Sequence, residues 1–481
     1  MTMQGLSEFI NEAMQEWKVP GLAIAIIKDS QIIFCEGFGK RDVEQNLSVT
    51  PQTLFAIASC TKPFTTMAMS ILVERGLLNW DKPVRNYLPT FKLYDSYATE
   101  HITPRDLVTH RSGLPRHDAM WSQSPFTRKE IIDRLQYLEP TYELRTVFQY
   151  QNLMYMTAGY LVGEIAQTSW EEFVQQEIFN PLEMRDSNFS VEKFQKAADF
   201  ALPYAEKDDK VERLPFCNVD VSGPAGSINS NVTDMAKWLL LHLNQGKYGD
   251  KQIISPSHLQ EMHSPQVVMT QTLEYNELFY YFYGLGWAIT SYRGHNLIQH
   301  GGNINGFSAR TTVLPQDNIG IVVLTNMDQN PVINTVTYYV CDSLLGLDQA
   351  PWNERMQQKY AQAKEATAKA KEQIAPDRKT PTQPSHPLED YTGYFEHPAY
   401  GILSVEIHDI HDNRLTATHN SNIYKLEHYH YDIFVEYELF EQPKLISFLT
   451  DTKGNISSLS VPLEPTVKDI LFTRMPESSS G

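Results

Sequence analysis

Two residues that could do chemistry together, Ser59 and Lys62, lie three positions apart where an apolar run passes into an amphipathic helix. The run covers residues 54–58, so the predicted helix begins in the protein interior. The hydroxyl then lies beside backbone N–H groups and the positive end of the helix dipole, with the lysine one turn further on the same face. An amine enclosed by apolar residues has a lowered pKa and can accept the hydroxyl proton. The pair predicts a serine nucleophile with a basic lysine.

The same spacing occurs a second time, at Ser190 and Lys193. This copy has charged neighbours and no apolar frame, so context rather than spacing separates the two. We therefore expect the nucleophile at Ser59.

A second proton carrier is offered by the segment 147–166, in which Tyr150 and Asn152 straddle one residue before a predicted helix. Both side chains can point the same way from a loop, and a phenol near an ammonium ionises below its usual pKa of about 10. Taken alone, this motif is equally compatible with a tyrosine in the core.

A third motif is "QHGGNINGF", a predicted strand that ends in His300, Gly301 and Gly302 and is followed by a glycine-rich turn. Glycines let a ligand approach the edge of a strand and bond to its N–H groups. Taken alone, the motif is also compatible with an ordinary hairpin.

In this order and at these separations, the three motifs resemble the serine β-lactamase and penicillin-binding-protein superfamily. The resemblance is strongest to its esterase-like and peptidase S12 branch, with the class C type of active site, and it covers residues 6–346. Four further segments agree with it: "VPGLAIAII", "ITPRDLVTHRSGLP", "GYLVGEIAQTSWEEFVQQEIFNPLEM" and "PAGSINSNVTDMAKW". The segment 388–405 is similar to the start of the lipocalin-like C-terminal domain of S12 peptidases that act on D-amino-acid peptides.

The resemblance implies that Ser59 is acylated and that Lys62 and Tyr150 handle its proton. Which of these two is the base stays open, because such close groups titrate as a pair. It further implies that Asn152 holds Lys62 and the substrate amide. The oxyanion would rest on the N–H groups of Ser59 and Asn303. No cofactor and no metal are implied.

One departure from the family pattern concerns the third motif. The lactamases and carboxypeptidases carry Lys-Thr-Gly where this chain has His300, Gly301 and Gly302, and a mostly neutral histidine holds a substrate carboxylate less strongly. We therefore expect a serine hydrolase that cleaves amide or ester bonds of small substrates, such as D-amino-acid-containing peptides or short esters. The alternatives are a β-lactamase or D-Ala-D-Ala carboxypeptidase, and a scaffold that kept the fold without turnover.

The chain is predicted to be an α/β (α+β) protein with two folded domains. Strand patterns at both ends of residues 1–350 predict one β-lactamase-like antiparallel sheet with an inserted helical lobe. Residues 351–387 read as a solvated helix and a proline-rich linker. Residues 388–476 show short alternating strands, which predict a small antiparallel β-barrel.

Composition excludes several classes of function. A net charge of -18 disfavours nucleic acid and anionic membranes as partners. No apolar run could span a bilayer, and the N-terminus has a helical rather than a signal-peptide pattern. With four scattered cysteines, the expected location is the cytoplasm. The expected partners are a small-molecule or short-peptide substrate and copies of the chain in a homo-oligomer.

A histidine-rich tail raises the question of a metal site. His428 and His430 alternate on a predicted strand and would face one side together, but neither a cysteine nor a clear carboxylate completes a ligand set. The other tail histidines are His408, His411 and His419. We expect no metal there.

Overall fold

Antiparallel strands from both ends of the first 325 residues form one sheet. The computed structural model describes residues 3–270, 274–374, 378–409, 414–436 and 444–476, and within them this sheet has nine strands. In spatial order they are Val267–Thr270, Leu278–Tyr283, Ala288–Tyr292, His295–Ile304, Phe307–Leu314, Ile319–Thr325, Gly21–Lys28, Gln31–Asp42 and Leu47–Ser48. The strand Gly21–Lys28 pairs with Ile319–Thr325 and joins the two ends of the segment. The predicted sheet is confirmed.

Helices cover both faces of this sheet, which explains why its central strands are apolar throughout. Gly21–Lys28 is buried along seven of its eight residues. The helices Met3–Glu16 and Val332–Leu345 pack on one face, around a core that includes Leu6, Ile24 and Val336. The helix Val232–Leu243 packs on the other face, where Leu239 approaches Gly320 closely.

The residues between the two groups of strands are mainly helical, as predicted. The helices are Lys62–Glu74, Ser96–His101, Pro104–Val108, Arg128–Arg134, Asn152–Ala166, Trp170–Val174, Asn180–Leu182, Val191–Gln195, Gly223–Gly226, Val232–Leu243 and Pro256–Met262. Three short two-stranded sheets accompany them: Phe55–Ala56 with Asn229–Ser230, Tyr204–Lys207 with Lys210–Arg213, and Lys247–Tyr248 with Lys251–Gln252.

The segment "YGLGWAIT" (283–290) predicts a single strand from its sequence, and this prediction was wrong, because a turn separates Leu278–Tyr283 from Ala288–Tyr292. Gly286 in this turn has φ +84°, and a Cβ there would lie 2.6 Å from the Oγ1 atom of Thr66. The helix expected from residue 60 begins as a 3₁₀ turn, Ala58–Thr61, and becomes α-helical only at Lys62.

The chain divides into two units by its internal contacts. The first comprises residues 1–91, 97–113 and 142–357, and the second comprises 92–96, 114–141 and 358–481. Two segments that lie early in the sequence are therefore grouped with the C-terminal strands. A helix, Trp352–Ile374, covers the predicted solvated segment. The domain boundaries expected from the sequence remain predictions.

The C-terminal strands form a closed antiparallel barrel in which spatial order follows chain order. Its eight strands in the described residues are Gly393–His397, Gly401–Asp409, Arg414–His419, Asn422–His430, Ile433–Glu436, Lys444–Thr450, Ile456–Val461 and Ile470–Arg474. The first pairs with the last, which leaves no open edge. The predicted barrel is confirmed.

Two further observations concern the described part of the chain. No helix in it is long and apolar enough to cross a membrane. It also holds no group of three or more His, Cys, Asp or Glu side chains that could bind a metal ion. Of the tail histidines, His411 lies outside the described residues.

Candidate active site

Ser59 lies in the 3₁₀ turn between the strand Phe55–Ala56 and the helix Lys62–Glu74. Ala58, just before it, has φ +47°, a left-handed conformation that costs an L-residue roughly 1–2 kcal/mol. Hydrogen bonds on either side hold this strained turn: Ile57 N donates to Ile228 O, and Cys60 N donates to Ile57 O. Ser59 itself is only half-buried, so its hydroxyl remains accessible in an otherwise buried turn.

Lys62 is fully buried, and its ammonium group is directed at the serine. Its Nζ atom donates to Ser59 Oγ at 3.0 Å, to Asn152 Oδ1 at 2.8 Å and to Ala225 O at 2.9 Å. Nζ also lies 4.7 Å from the centre of the Tyr150 ring. These contacts fix the Lys62 Nζ atom on the Ser59 hydroxyl.

Tyr150 and Asn152 are positioned by the start of the helix Asn152–Ala166. The side chain of Gln151 caps this helix by accepting from Leu153 N at 2.8 Å. Gln151 N in turn donates to His110 Nδ1 at 2.9 Å, and the ring of His110 packs 4.3 Å from that of Tyr150. Tyr150 is half-buried, whereas Asn152 is only 7% exposed. The structure thus brings Ser59, Lys62, Tyr150 and Asn152 into one place.

The strand His295–Ile304 runs directly against the 3₁₀ turn that carries Ser59. A Cβ atom on Gly302 would lie 2.1 Å from Ile57 O and 3.0 Å from Ser59 N, so only glycine allows this approach. Its neighbours Gly301 and Asn303 are exposed. The backbone at 302–303 and the Ser59 N–H group therefore lie side by side.

His300, the first residue of the third motif, has both ring nitrogens engaged. Nδ1 lies 2.7 Å from Gly301 O, and because a carbonyl only accepts, Nδ1 carries the proton. Nε2 therefore accepts from the Tyr283 hydroxyl at 2.9 Å. Burial, together with the charge on Lys62, lowers the pKa of His300 to about 3. The imidazole is neutral near neutral pH.

Several residues that surround the site were not predicted from the sequence to take part in it. Tyr155 donates to Val108 O at 2.6 Å and lies 3.2 Å from the Tyr283 hydroxyl, and burial raises the pKa of both phenols well above 10. His110 packs between these rings and Tyr150. Ala225 contributes a main-chain carbonyl, which no side-chain motif reveals. The segments carrying His110 and Ala225 were noted only for their resemblance to the family.

The second Ser-x-x-Lys copy forms no site. The Ser190 side chain caps the short helix Val191–Gln195 by accepting from Glu192 N, and Lys193 is exposed. The two copies therefore lie in different surroundings, and the choice of Ser59 as the nucleophile remains a prediction.

Comparison with known proteins identifies the family to which the chain belongs. Residues 6–340 match the family model described as Beta-lactamase, and residues 377–474 match a domain of unknown function, DUF3471. The chain is 28% identical over 422 residues to the unguisins hydrolase UngD' of Aspergillus campestris, covering 84% of this chain and 77% of that protein.

Two solved structures have a similar fold. The octameric penicillin-binding protein homologue from Pyrococcus abyssi aligns with a TM-score of 0.66 and 25% identity, over 98% of this chain and 100% of that one. The D-stereospecific amidohydrolase from a Streptomyces species aligns with a TM-score of 0.57 and 21% identity, over 69% of this chain and 97% of that one. With its family match covering residues 6–340, the chain belongs to the beta-lactamase family of serine hydrolases related to penicillin-binding proteins.

Proposed function

We propose that the protein is a serine hydrolase that acts through an acyl-enzyme on Ser59. Its substrates are small amides or esters, such as D-amino-acid-containing peptides or short esters. The support is the buried Lys62 side chain held on the Ser59 hydroxyl, since a lysine is rarely buried completely and a buried amine beside a hydroxyl can take its proton.

The proposed reaction has two stages. Ser59 Oγ bonds to the substrate carbonyl carbon while its proton passes to the unprotonated member of the Lys62–Tyr150 pair, either the Lys62 amine or the Tyr150 phenolate, and the oxyanion is held by the N–H groups of Ser59 and Asn303. The carbon–nitrogen or carbon–oxygen bond then breaks, and the pair returns the proton to the leaving group. Water, deprotonated by the same pair, next attacks the ester on Ser59 and releases the acid. Asn152 orients Lys62 throughout and offers its amide to the substrate.

The observation that selects the substrate class is the neutral state of His300. Both of its nitrogens are occupied, so it is a poor anchor for a carboxylate next to the scissile bond. Arg310, on the neighbouring strand, is bonded to Gln299, Asn334 and Tyr338. This argues against a β-lactamase or carboxypeptidase, whose substrates carry such a carboxylate, and favours neutral amides and esters through Gly301, Gly302 and Asn303.

The names of similar proteins fit this proposal. The relative from Aspergillus is named a hydrolase of unguisins, and a structural neighbour is named a D-stereospecific amidohydrolase. We also infer a homo-oligomer, supported by the octameric state in the name of the Pyrococcus homologue. A reducing, cytoplasmic location is part of the proposal, supported by the free thiols of Cys35, Cys60, Cys217 and Cys341.

The experiment is a substrate panel run on wild type and Ser59→Ala. It contains D- and L-amino-acid amides, short-chain esters and a chromogenic cephalosporin. We expect turnover of amides or esters by wild type alone and little hydrolysis of the cephalosporin. Preferential hydrolysis of the cephalosporin would establish the lactamase alternative, and no turnover of any compound would favour the scaffold.

A further inference from the structure

A cavity of about 210 Å³ lies wholly within the second unit, none of whose residues belongs to the site around Ser59. Barrel residues form part of its wall, and the segments 92–96 and 114–141 form the rest. The wall combines aromatic rings, imidazoles and charged side chains, namely Tyr94, His117, Tyr137, His397, Lys468 and Asp469. The residues of the proposed hydrolase mechanism do not line this cavity.

The cavity contains a strained and firmly held histidine, His117. It is 1% exposed and has φ +47°. Its backbone N donates to Oε2 of the buried Glu464 at 2.9 Å, and its Nδ1 lies 2.7 Å from the Tyr400 hydroxyl. Backbone strain held in place by a buried carboxylate is a feature that clusters at functional sites.

Hydrogen-bond partners indicate which nitrogens carry protons. We assign the Tyr400 hydroxyl as the donor to His117 Nδ1, its partner among the described residues, which leaves the ring proton of His117 on Nε2. His397 Nδ1 accepts from the backbone N atoms of Ala399 and Tyr400, so its Nε2 is also protonated. Burial lowers the pKa of both rings, that of His397 to about 4. Two neutral imidazole N–H donors therefore belong to the cavity wall.

One of these donors is unsatisfied. His117 Nε2 is buried and has no hydrogen-bond partner among the described residues. The Glu139 main-chain carbonyl contacts the ring and raises the pKa of His117, although the contact falls short of full hydrogen-bonding geometry. Because a buried unpaired N–H group is costly, this atom indicates a place for an acceptor on a ligand.

The charged residues on the wall carry both signs. Lys468 can join the imidazole N–H groups in binding a carboxylate. Glu139 and Asp469 can bind an ammonium group, and Glu139 is held by the Tyr94 hydroxyl at 3.2 Å. The exposed rings of Tyr94 and Tyr137 offer apolar and cation–π contact. The cavity thus matches a ligand with a carboxylate, an ammonium and an apolar part.

We propose that this cavity binds a free amino acid with an apolar side chain. The proposal stands on the cavity alone and does not depend on the hydrolase activity. A free amino acid is also the kind of product that hydrolysis of amino-acid amides releases, so the cavity would sense or retain such a product.

The test is calorimetric titration of the full-length Ser59→Ala protein, in which turnover cannot interfere with binding. The probes are D- and L-leucine, D- and L-phenylalanine, their N-acetyl derivatives and their amides. We expect at least one free amino acid to bind, and its two derivatives, each lacking one charge, to bind at least about tenfold more weakly, which is the effect of one charge-assisted hydrogen bond.

Surface variants locate the binding. Lys468→Met and Glu139→Gln should each weaken it about tenfold, whereas Lys453→Met, an exposed lysine of the same unit outside the cavity, should leave it unchanged. The proposal is overturned if none of the amino acids binds, if a derivative binds as well as its parent, or if Lys468→Met binds like the control. Loss of turnover in wild type would leave this result untouched, so the two proposals fail separately.

Discussion

At the scale of single residues, the site is organised around a buried lysine. Lys62 has three neutral hydrogen-bond acceptors, one of which is the Ser59 hydroxyl. The Nζ atom of Lys62 is therefore in place to exchange a proton with the serine hydroxyl. Tyr150, whose ring lies beside Nζ, is the neighbouring group that can share the proton.

Replacing Tyr150 by phenylalanine tests this sharing. The ring and its packing on His110 remain, but the hydroxyl is lost. Because general acid–base catalysis typically contributes about 10² to 10⁴-fold, kcat should fall by that factor while Tm stays close to that of wild type.

The matched control is Tyr155→Phe, whose ring also lies near Lys62, at 5.2 Å. Its hydroxyl bonds to Val108 O, so this variant should lose stability by about 1 kcal/mol and keep most of its turnover. Near-normal kcat in Tyr150→Phe would show that the Tyr150 hydroxyl takes no part in proton transfer and that the ring serves only in packing.

At the scale of elements, two residues position the segments around Ser59 and Tyr150. They are Gly302, in the third motif, and Asp106, which contacts the segment leading to Tyr150. Gly302 lets the strand His295–Ile304 approach the serine turn. Asp106, in the helix Pro104–Val108, is completely buried and accepts from Arg111 Nε at 2.5 Å and from Arg145 Nη2 at 2.7 Å. It thereby ties this helix to the segment that leads to Tyr150.

Gly302→Ala should disrupt the oxyanion position. The added Cβ would lie 2.1 Å from Ile57 O, so the strand or the turn must move, and a shift of this kind costs about 10²-fold or more in rate. We expect slow acylation and a lower Tm.

The control for stability is Gly301→Ala, where the nearest atom to an added Cβ, Ala309 O, lies 3.9 Å away. Its Tm should match wild type. An unchanged acylation rate in Gly302→Ala would mean that the strand does not hold the oxyanion.

Asp106→Asn should show a pH-dependent loss of stability. Burial alone would raise the pKa of Asp106, but hydrogen bonds from Arg145 and Thr103 and the charge of Arg111 lower it below its ordinary value of 3.8. Its carboxylate therefore stabilises the fold fully above that value, and this contribution disappears as pH falls through the lowered pKa.

Urea unfolding at pH 7 and pH 3 measures this effect. At pH 7 the variant should lose about 3–5 kcal/mol, the usual cost of breaking a buried ion pair, and the difference from wild type should be smaller at pH 3. A difference of equal size at both pH values would rule out the ionised carboxylate as the cause.

How far the sequence predicts these elements depends on whether the signal is local. The alternating barrel strands and the apolar strand Gly21–Lys28 are local patterns, and both are confirmed, while the Ser59–Lys62 spacing brings the two side chains into contact as expected. The turn at Gly286 was missed because it is set by packing against Thr66, which is distant in sequence. The roles of Tyr283 and of the Ala225 carbonyl were missed for the same reason.

At the scale of the whole molecule, the chain combines a hydrolase sheet with a closed barrel. The grouping of residues 92–96 and 114–141 with the barrel strands could not be predicted, because nothing in their composition marks them as part of another unit. The structure of the Pyrococcus homologue aligns with 98% of this chain, and its name describes that homologue as octameric.

A homo-oligomer is therefore the expected state in solution. Light scattering coupled to size exclusion should give a mass of two or more times the 55.1 kDa of one chain. A single-chain mass across a hundredfold range of protein concentration would show that the assembly of the homologue does not extend to this chain.

If Ser59 is the nucleophile, a reagent that reacts covalently with activated serines should label it. Wild type, Ser59→Ala and Ser190→Ala are treated with a fluorophosphonate and measured by intact mass. Ser190→Ala is the matched control, because it removes the same side chain from the second Ser-x-x-Lys copy and costs only a helix cap. The account predicts one adduct on wild type and on Ser190→Ala and none on Ser59→Ala. An adduct that persists on Ser59→Ala, or that disappears from Ser190→Ala, would contradict it.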